Sequence, residues 1–198
     1  YDVLCKWWAK DVCEHFSNQL PDGKKVHFCV SQAAYHAYDG YNGYDDGVAE
    51  IQDQIDVNRS NLSSGYNGSV FYNTTAYCKM YQELQASHFN YKALMPAMDW
   101  KVTEQLSAPE NLRVENNILK WEHPTAERFT VYAYPMGLDW TTAQKTGTYL
   151  QGMVYGNELA LSQIPNWQAM TLAVCSYDRF GVEHGVAIIN EGQFPDSD

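Results

Sequence analysis

The first residues of the chain show a helical pattern of apolar side chains followed by a strand-like run. Residues 2–20 place apolar side chains on one helical face, at Leu4, Trp8, Val12, Phe16 and Leu20. This spacing predicts a helix with one buried stripe, and we expect Trp7 and Trp8 to belong to its core. After a turn signal at Pro21-Asp22-Gly23, the apolar run at residues 25–30 predicts a short strand that is buried in a parallel sheet.

A second set of helices and a second strand follow. Residues 48–62 return to helical spacing, residues 69–73 form another short apolar run, and residues 76–89 predict a further helix. Strands that alternate with helices pair in parallel through right-handed crossovers. Two strands leave both edges of a parallel sheet open. We therefore expect further strands from an earlier part of the protein or from another chain, and self-association of the isolated chain through its exposed edge.

The connection between the first strand and the second helix is long and aromatic. Residues 31–47, the tyrosine loop, contain four tyrosines and three glycines, namely Tyr35, Tyr38, Tyr41, Tyr44, Gly40, Gly43 and Gly47. This length and aromatic content exceed what a simple connection needs.

The pattern changes at residue 108 to short alternating runs separated by turns. Seven strands are predicted, at residues 111–114, 118–121, 129–134, 148–154, 158–164, 170–177 and 184–189. Frequent turns between short strands are typical of an antiparallel sandwich. We expect one domain at residues 1–100, a linker at 98–107 and a β-sandwich at 108–190.

Composition and charge exclude several classes of function. The chain has 13 basic and 24 acidic residues, a net charge of −11, which argues against nucleic acid because phosphate binding needs a clustered basic face. A neutral or cationic partner fits better, although we favour the interpretation that the charge only keeps the protein soluble. No run of 18 apolar residues occurs, so no transmembrane segment is predicted. The chain lacks an initiator Met and opens close to a predicted helix, so we expect its natural N-terminus to have been removed.

Metal and cofactor sites are not expected. Five cysteines without a CxxC pair argue against a disulfide framework and a zinc site. The six histidines lack the spacing of metal ligands, and no glycine-rich phosphate loop precedes a helix.

The second half resembles fibronectin type III modules. The resemblance lies in Ala108-Pro109, in Leu119-Lys120-Trp121 and in the late strand that ends in Ser176-Tyr177-Asp178-Arg179-Phe180-Gly181. It implies that Trp121 fills the core between two sheets. Met170 stands where such modules usually carry the tyrosine of the tyrosine corner, so the resemblance does not extend to that hydrogen bond.

The first half resembles the end of the catalytic barrel in the glycosyl-hydrolase-like-10 family of bacterial cell-envelope proteins. The residues that match are Tyr1-Asp2-Val3-Leu4, Lys6-Trp7-Trp8-Ala9, residues 50–55, Gly68-Ser69-Val70-Phe71-Tyr72-Asn73, Ala93-Leu94-Met95-Pro96 and Trp100. The implied fold is an α/β fragment, the last βα units of a TIM-type (β/α)₈ barrel, followed by an all-β fibronectin type III-like sandwich. The implied location is the cell envelope, periplasmic or anchored to the outer membrane.

The resemblance implies a glycoside hydrolase that acts on a cell-envelope glycan such as peptidoglycan. Such enzymes use two carboxylates at the carboxyl ends of barrel strands, but the predicted strand ends carry neither Asp nor Glu. We interpret Asp39, Asp45 and Asp46 as solvated turn residues. The catalytic pair is therefore expected outside this chain, which should be inactive alone.

Four residues at the predicted strand ends are candidates for binding the glycan: Gln32, Tyr35, Tyr72 and Asn73. Amides pair with hydroxyl groups, and aromatic rings stack on sugar faces. Alternatively, Tyr35 and Tyr72 only pack under the loops. The alternative function is a non-catalytic carbohydrate-binding or spacer protein.

Overall fold

The computed structural model describes residues 1–21, 23–24, 26–44, 46–61 and 66–190. The chain divides into two compact units, Tyr1–Asn90 and Tyr91–Asp198, which are described separately below. Across the described residues, we find no helix with both the length and the apolar character needed to cross a membrane.

The first unit is a small α/β structure built on two parallel strands. Its helices are α1 (Asp2–Trp7), α2 (Cys13–Ser17), α3 (Val48–Ser60) and α4 (Thr74–Ser87), and its strands are β1 (Phe28–Gln32) and β2 (Tyr66–Phe71). A π-helical stretch, Trp8–Val12, joins α1 to α2, and a 3-10 helix, Ala34–Tyr38, follows β1. The strands pair in parallel, as predicted, with Cys29 beside Gly68 and Gln32 beside Phe71.

The core of the first unit lies between α3, α4 and the 3-10 helix. Its buried side chains are Ala34, Ile51, Ile55, Ala76, Met80 and Leu84. The first helix is placed differently from our prediction, since Leu4, Trp7, Trp8 and Phe16 are exposed.

The buried side of the first helical segment consists of small side chains. Cys5, Ala9 and Cys13 recur every fourth residue and are buried, and α1 contacts α3. Side chains four residues apart share a helix face, and small ones allow close approach to a neighbouring helix. The predicted stripe was therefore wrong at Leu4, Trp8 and Phe16, because the packed face carries small side chains rather than these bulky ones. Its other two members, Val12 and Leu20, are half-buried.

The second unit contains two antiparallel sheets. Strands β3 (Glu110–Glu115), β4 (Ile118–Glu122) and β7 (Glu158–Ala160) form one sheet in the order β3-β4-β7. Strands β5 (Arg128–Pro135), β6 (Leu150–Tyr155), β8 (Met170–Tyr177) and β9 (Glu183–Ile189) form the other, in the order β6-β5-β8-β9. A short helix, α5 (Trp140–Gln144), and 3-10 turns at Asp99–Lys101, Gly147–Tyr149, Leu161–Gln163 and Trp167–Ala169 complete the unit.

One apolar cluster joins the two sheets. Val114, Leu119 and Trp121 from the first sheet meet Phe129, Val131, Ala133, Leu172, Val174 and Ile189 from the second. Face-to-face packing of this kind defines a sandwich. All seven predicted strands are present, although β6 and β7 are shorter than expected because 3-10 turns replace one end of each.

The residues that precede the sandwich, from Tyr91 onward, belong to the second unit and pack on its strands. Leu94 contacts the apolar cluster on the outer face of the four-stranded sheet, which includes Tyr132, Tyr134 and Ala173. The Met98 backbone N–H donates to the Phe180 carbonyl at 2.8 Å. The predicted linker and the residues that resemble a barrel-closing segment thus lie in the second unit.

Acid is expected to weaken the second unit through Asp178. Burial acts to raise the pKa of this carboxyl, but hydrogen bonds from the Val182 and Phe180 N–H groups and from His184 outweigh it and lower the pKa. The stabilisation that ionised Asp178 gives the folded unit is therefore complete above the ordinary carboxyl pKa of about 4. It is lost as the pH falls through the lower pKa that this group has in the folded state.

The variant Asp178→Asn keeps an acceptor for the two N–H groups but cannot titrate. We expect urea denaturation to show wild type more stable than the variant at neutral pH, with the difference shrinking at about pH 3. An unchanged difference at both pH values would contradict this assignment.

Candidate functional site

The carboxyl ends of β1 and β2 meet at one edge of the first unit. Parallel pairing brings these ends together, and two backbone hydrogen bonds extend the contact beyond the sheet. The Tyr72 N–H donates to the Gln32 carbonyl at 2.9 Å, and the Tyr35 N–H donates to the Tyr72 carbonyl at 3.3 Å. In parallel α/β structures, ligands bind at this end of the strands.

A row of aromatic rings lies at this edge. The ring centroids of Tyr72 and Tyr35 are 5.8 Å apart, those of Tyr35 and His36 are 4.1 Å apart, and those of His36 and Tyr41 are 3.9 Å apart. We call Tyr72, Tyr35, His36 and Tyr41 the tyrosine row. Tyr72 is 64% exposed, Tyr41 is 56% exposed and Tyr35 is 36% exposed, so the row presents aromatic surface to solvent.

The middle of the row is held by an acidic side chain. His36 Nδ1 lies 2.8 Å from Asp39 Oδ2, and Asp39 Oδ1 accepts a hydrogen bond from the Tyr41 N–H. Asp39 therefore fixes the imidazole and the turn that presents Tyr41. From the sequence alone, Asp39 is interpreted only as a solvated turn residue, and neither His36 nor Tyr41 is among the candidates.

A polar network supports the tyrosine loop from inside. The buried amide of Gln54 donates to the Tyr44 hydroxyl at 3.1 Å and to Glu50 Oε1 at 2.8 Å. Tyr44 also packs near His36, with 5.3 Å between the ring centroids. These contacts tie the loop to α3. Asp46 is exposed, and Asp45 lies outside the described residues.

Gln32 is placed inside the unit rather than on its surface. Its side chain is 1% exposed. In the amide orientation that satisfies both atoms, Nε2 donates to the carbonyls of Val30 and Val70, while Oε1 accepts from Ser69 Oγ and Asn58 Nδ2, at 2.9–3.1 Å. All four contacts are internal, so Gln32 stabilises the strand pair and does not contact solvent at the row.

Asn73 is exposed, and its side chain caps the N-terminus of α4. Its Oδ1 accepts a hydrogen bond from the Ala76 N–H at 3.0 Å and caps α4. The part of this amide that can serve a ligand is therefore the Nδ2 donor group. The Tyr72–Asn73 peptide bond is cis. Of the four predicted binding residues, the structure thus brings Tyr35, Tyr72 and Asn73 to the exposed edge.

The exposed groups of the site are aromatic rings and hydrogen-bonding side chains. In the part of the chain that the structure describes, no group of three His, Cys, Asp or Glu side chains is placed to hold a metal ion.

A separate cavity of about 270 Å³ lies in the second unit, with His184, Glu183 and Asp99 among its lining residues. Its titratable side chains already have protein partners. His184 pairs with Asp178 at 3.0 Å, and the Glu183 carboxylate accepts hydrogen bonds from Thr130, Tyr132 and Gln144. Asp99 is also engaged. The exposed tyrosine row is therefore the better candidate for a ligand site.

Comparison of the chain with protein-family models, with curated proteins and with solved structures found no match.

Proposed function

We propose that the tyrosine row binds a glycan, and that the chain belongs to a glycoside hydrolase acting on a cell-envelope glycan such as peptidoglycan. The observation that supports this most directly is the pair of exposed rings, Tyr72 and Tyr35, at the carboxyl ends of adjacent parallel strands. The sequence resemblance to the glycosyl-hydrolase-like-10 family supports the same function and a location in the cell envelope.

The chemistry of the row suits a sugar. Aromatic faces in contact with water are costly, and a sugar ring offers an apolar C–H face that can cover them while its hydroxyls remain hydrogen-bonded. Asn73 Nδ2, next to Tyr72, is a donor for such a hydroxyl. Binding sites generally combine apolar and aromatic walls with a few placed polar groups.

Catalysis would need residues beyond this chain. The segments that follow β1 and β2, residues 31–35 and 72–75, contain no Asp or Glu, whereas glycoside hydrolysis usually uses two carboxylates. Our proposal is that other strands of a (β/α)₈ barrel supply this pair. The chain by itself then binds glycan without cleaving it.

A non-catalytic carbohydrate-binding or spacer protein is the second candidate. The observation that favours it is the same lack of carboxylates at the two strand ends. The sandwich of the second unit fits either candidate, and we propose that it is a fibronectin type III-like accessory. Activity of the complete parent protein on purified cell-wall glycan separates the two, since only the hydrolase releases new reducing ends.

Tyr72→Ala is expected to weaken binding of the chain to purified cell-wall glycan about tenfold or more. The substitution removes the most exposed ring of the row and leaves the buried core intact. Isothermal titration calorimetry with solubilised glycan measures the change. The matched control is Tyr155→Ala, which removes a similarly exposed tyrosine, 67% exposed, from β6 in the second unit. Equal losses in both variants, or none in Tyr72→Ala, would contradict the proposal.

A further inference from the structure

The tyrosine row extends beyond the two tyrosines predicted from the sequence. One face of the Tyr41 ring stacks on His36 at 3.9 Å with an interplanar angle of 23°, while the side chain is 56% exposed. At the other end, Tyr72 meets Tyr35 edge-on at 84° and is more exposed still. The row therefore has two open aromatic ends, separated by Tyr35 and the less exposed His36.

The two ends are held independently. Tyr72 follows β2, and its backbone is bonded to that of Gln32 and Tyr35. Tyr41 belongs to the loop after β1 and is held by the Asp39 turn and by the His36 ring. Because their supports differ, removing one ring leaves the other in place, and each end can contact a different part of a ligand.

The charge around the row disfavours an anionic ligand. Residues 31–50 contain four carboxylates, Asp39, Asp45, Asp46 and Glu50, and neither Lys nor Arg. Among the described residues, Asp39 and Asp46 are exposed. Lys79 approaches the loop at Tyr38, with Nζ 5.0 Å from the ring centroid, but Tyr38 is not a member of the row. Fields of one sign repel ligands of the same sign.

We propose that the tyrosine row is an extended site for an uncharged glycan chain, in which Tyr72 and Tyr41 stack on different sugar units. This inference rests on the proposed function and narrows its ligand to a chain of several sugars without carboxylate or sulfate groups, which excludes peptidoglycan strands that carry acidic stem peptides. His36, fixed by Asp39, supports the Tyr41 end as a positioning residue. Affinity then rises with chain length until both ends of the row are covered.

The test is calorimetric titration of the whole chain with N-acetylglucosamine and with its tetramer. We expect the tetramer to bind at least about tenfold more tightly than the monomer, because only the longer ligand covers both ends. Tyr41→Ala should remove this gain, so that the variant binds the tetramer and the monomer with similar affinity. Tyr41→Phe keeps the ring and should keep the gain, while Tyr155→Ala is the control for substitution of an exposed tyrosine.

The charge part of the inference is tested with an anionic chain of equal length, tetragalacturonic acid, at low salt. We expect it to bind at least about tenfold more weakly than the uncharged tetramer, with the difference decreasing as salt is added. Equal affinity for monomer and tetramer, an intact gain in Tyr41→Ala, or equal binding of the anionic chain would each overturn the inference. If Tyr72→Ala still weakens binding to cell-wall glycan, the proposed function survives that failure.

Discussion

Replacing Trp121 by alanine is expected to lower the free energy of unfolding of the second unit by about 4 kcal/mol. The indole is 1% exposed and packs edge-on against Phe129, with 5.3 Å between ring centroids. It belongs to the cluster that joins the two sheets. Its removal both loses apolar burial and leaves a cavity that close-packed strands cannot fill. Urea denaturation followed by circular dichroism measures the change.

Trp121→Phe is the informative control. Among the described residues, no group accepts a hydrogen bond from the Trp121 Nε1, so this variant removes a buried unsatisfied donor together with part of the ring. We expect it to cost clearly less than the alanine variant, about 2 kcal/mol or below. If Trp121→Ala cost less than about 1 kcal/mol, the shared core between the sheets would be placed in doubt.

Gln32→Ala is expected to destabilise the first unit by about 3 kcal/mol. The substitution deprives the carbonyls of Val30 and Val70 of a donor from the buried Gln32 amide and removes the acceptor used by Ser69 and Asn58. Buried polar groups that lose their partners cost more than the original bonds contributed. Hydrogen exchange of the α3 and α4 amides measures the loss, because these helices form the core of that unit.

The matched control is Gln52→Ala on α3. Within the described part of the chain, the Gln52 amide donates only to Ser87 Oγ at an exposed position, so its loss should change stability by about 0.5 kcal/mol or less. A small effect of Gln32→Ala on hydrogen exchange, together with a large loss of glycan affinity, would contradict the internal role and indicate that Gln32 contacts the ligand. A large effect on stability supports the internal role.

The strands of the second unit were predictable because each is a short run separated from the next by turn residues, although β5 and β8 are buried along nearly their whole length. Phe129, Val131 and Ala133 face the shared core from β5, and strand alternation has a strict period of two. The apolar stripe of a helix is wide, so the sequence pattern fixes the buried face of a helix less sharply than that of a strand. The first helix is an example. Its bulky residues suggested one packed face, whereas the small side chains Cys5 and Ala9 are the ones that are buried.

The site was predictable only as far as parallel pairing fixes it. Tyr35 and Tyr72 follow two strands whose carboxyl ends must meet, so their proximity follows from the topology. The contribution of His36 depends on a 3-10 turn that brings Asp39 to its ring, and the signal for it, a His and an Asp three residues apart before a glycine, is weak. The burial of Gln32 depends on contacts with Ser69 and Asn58, which are distant in sequence.

The segment that packs on the second unit redefines what can be exchanged as a module. A fusion that begins at Ala108 would leave behind Leu94, which covers part of the outer sheet face, and Met98, which is bonded to Phe180. Beginning at Tyr91 retains both. For recombination in evolution or for transfer in the laboratory, the module is therefore the sandwich together with residues 91–107, which precede it.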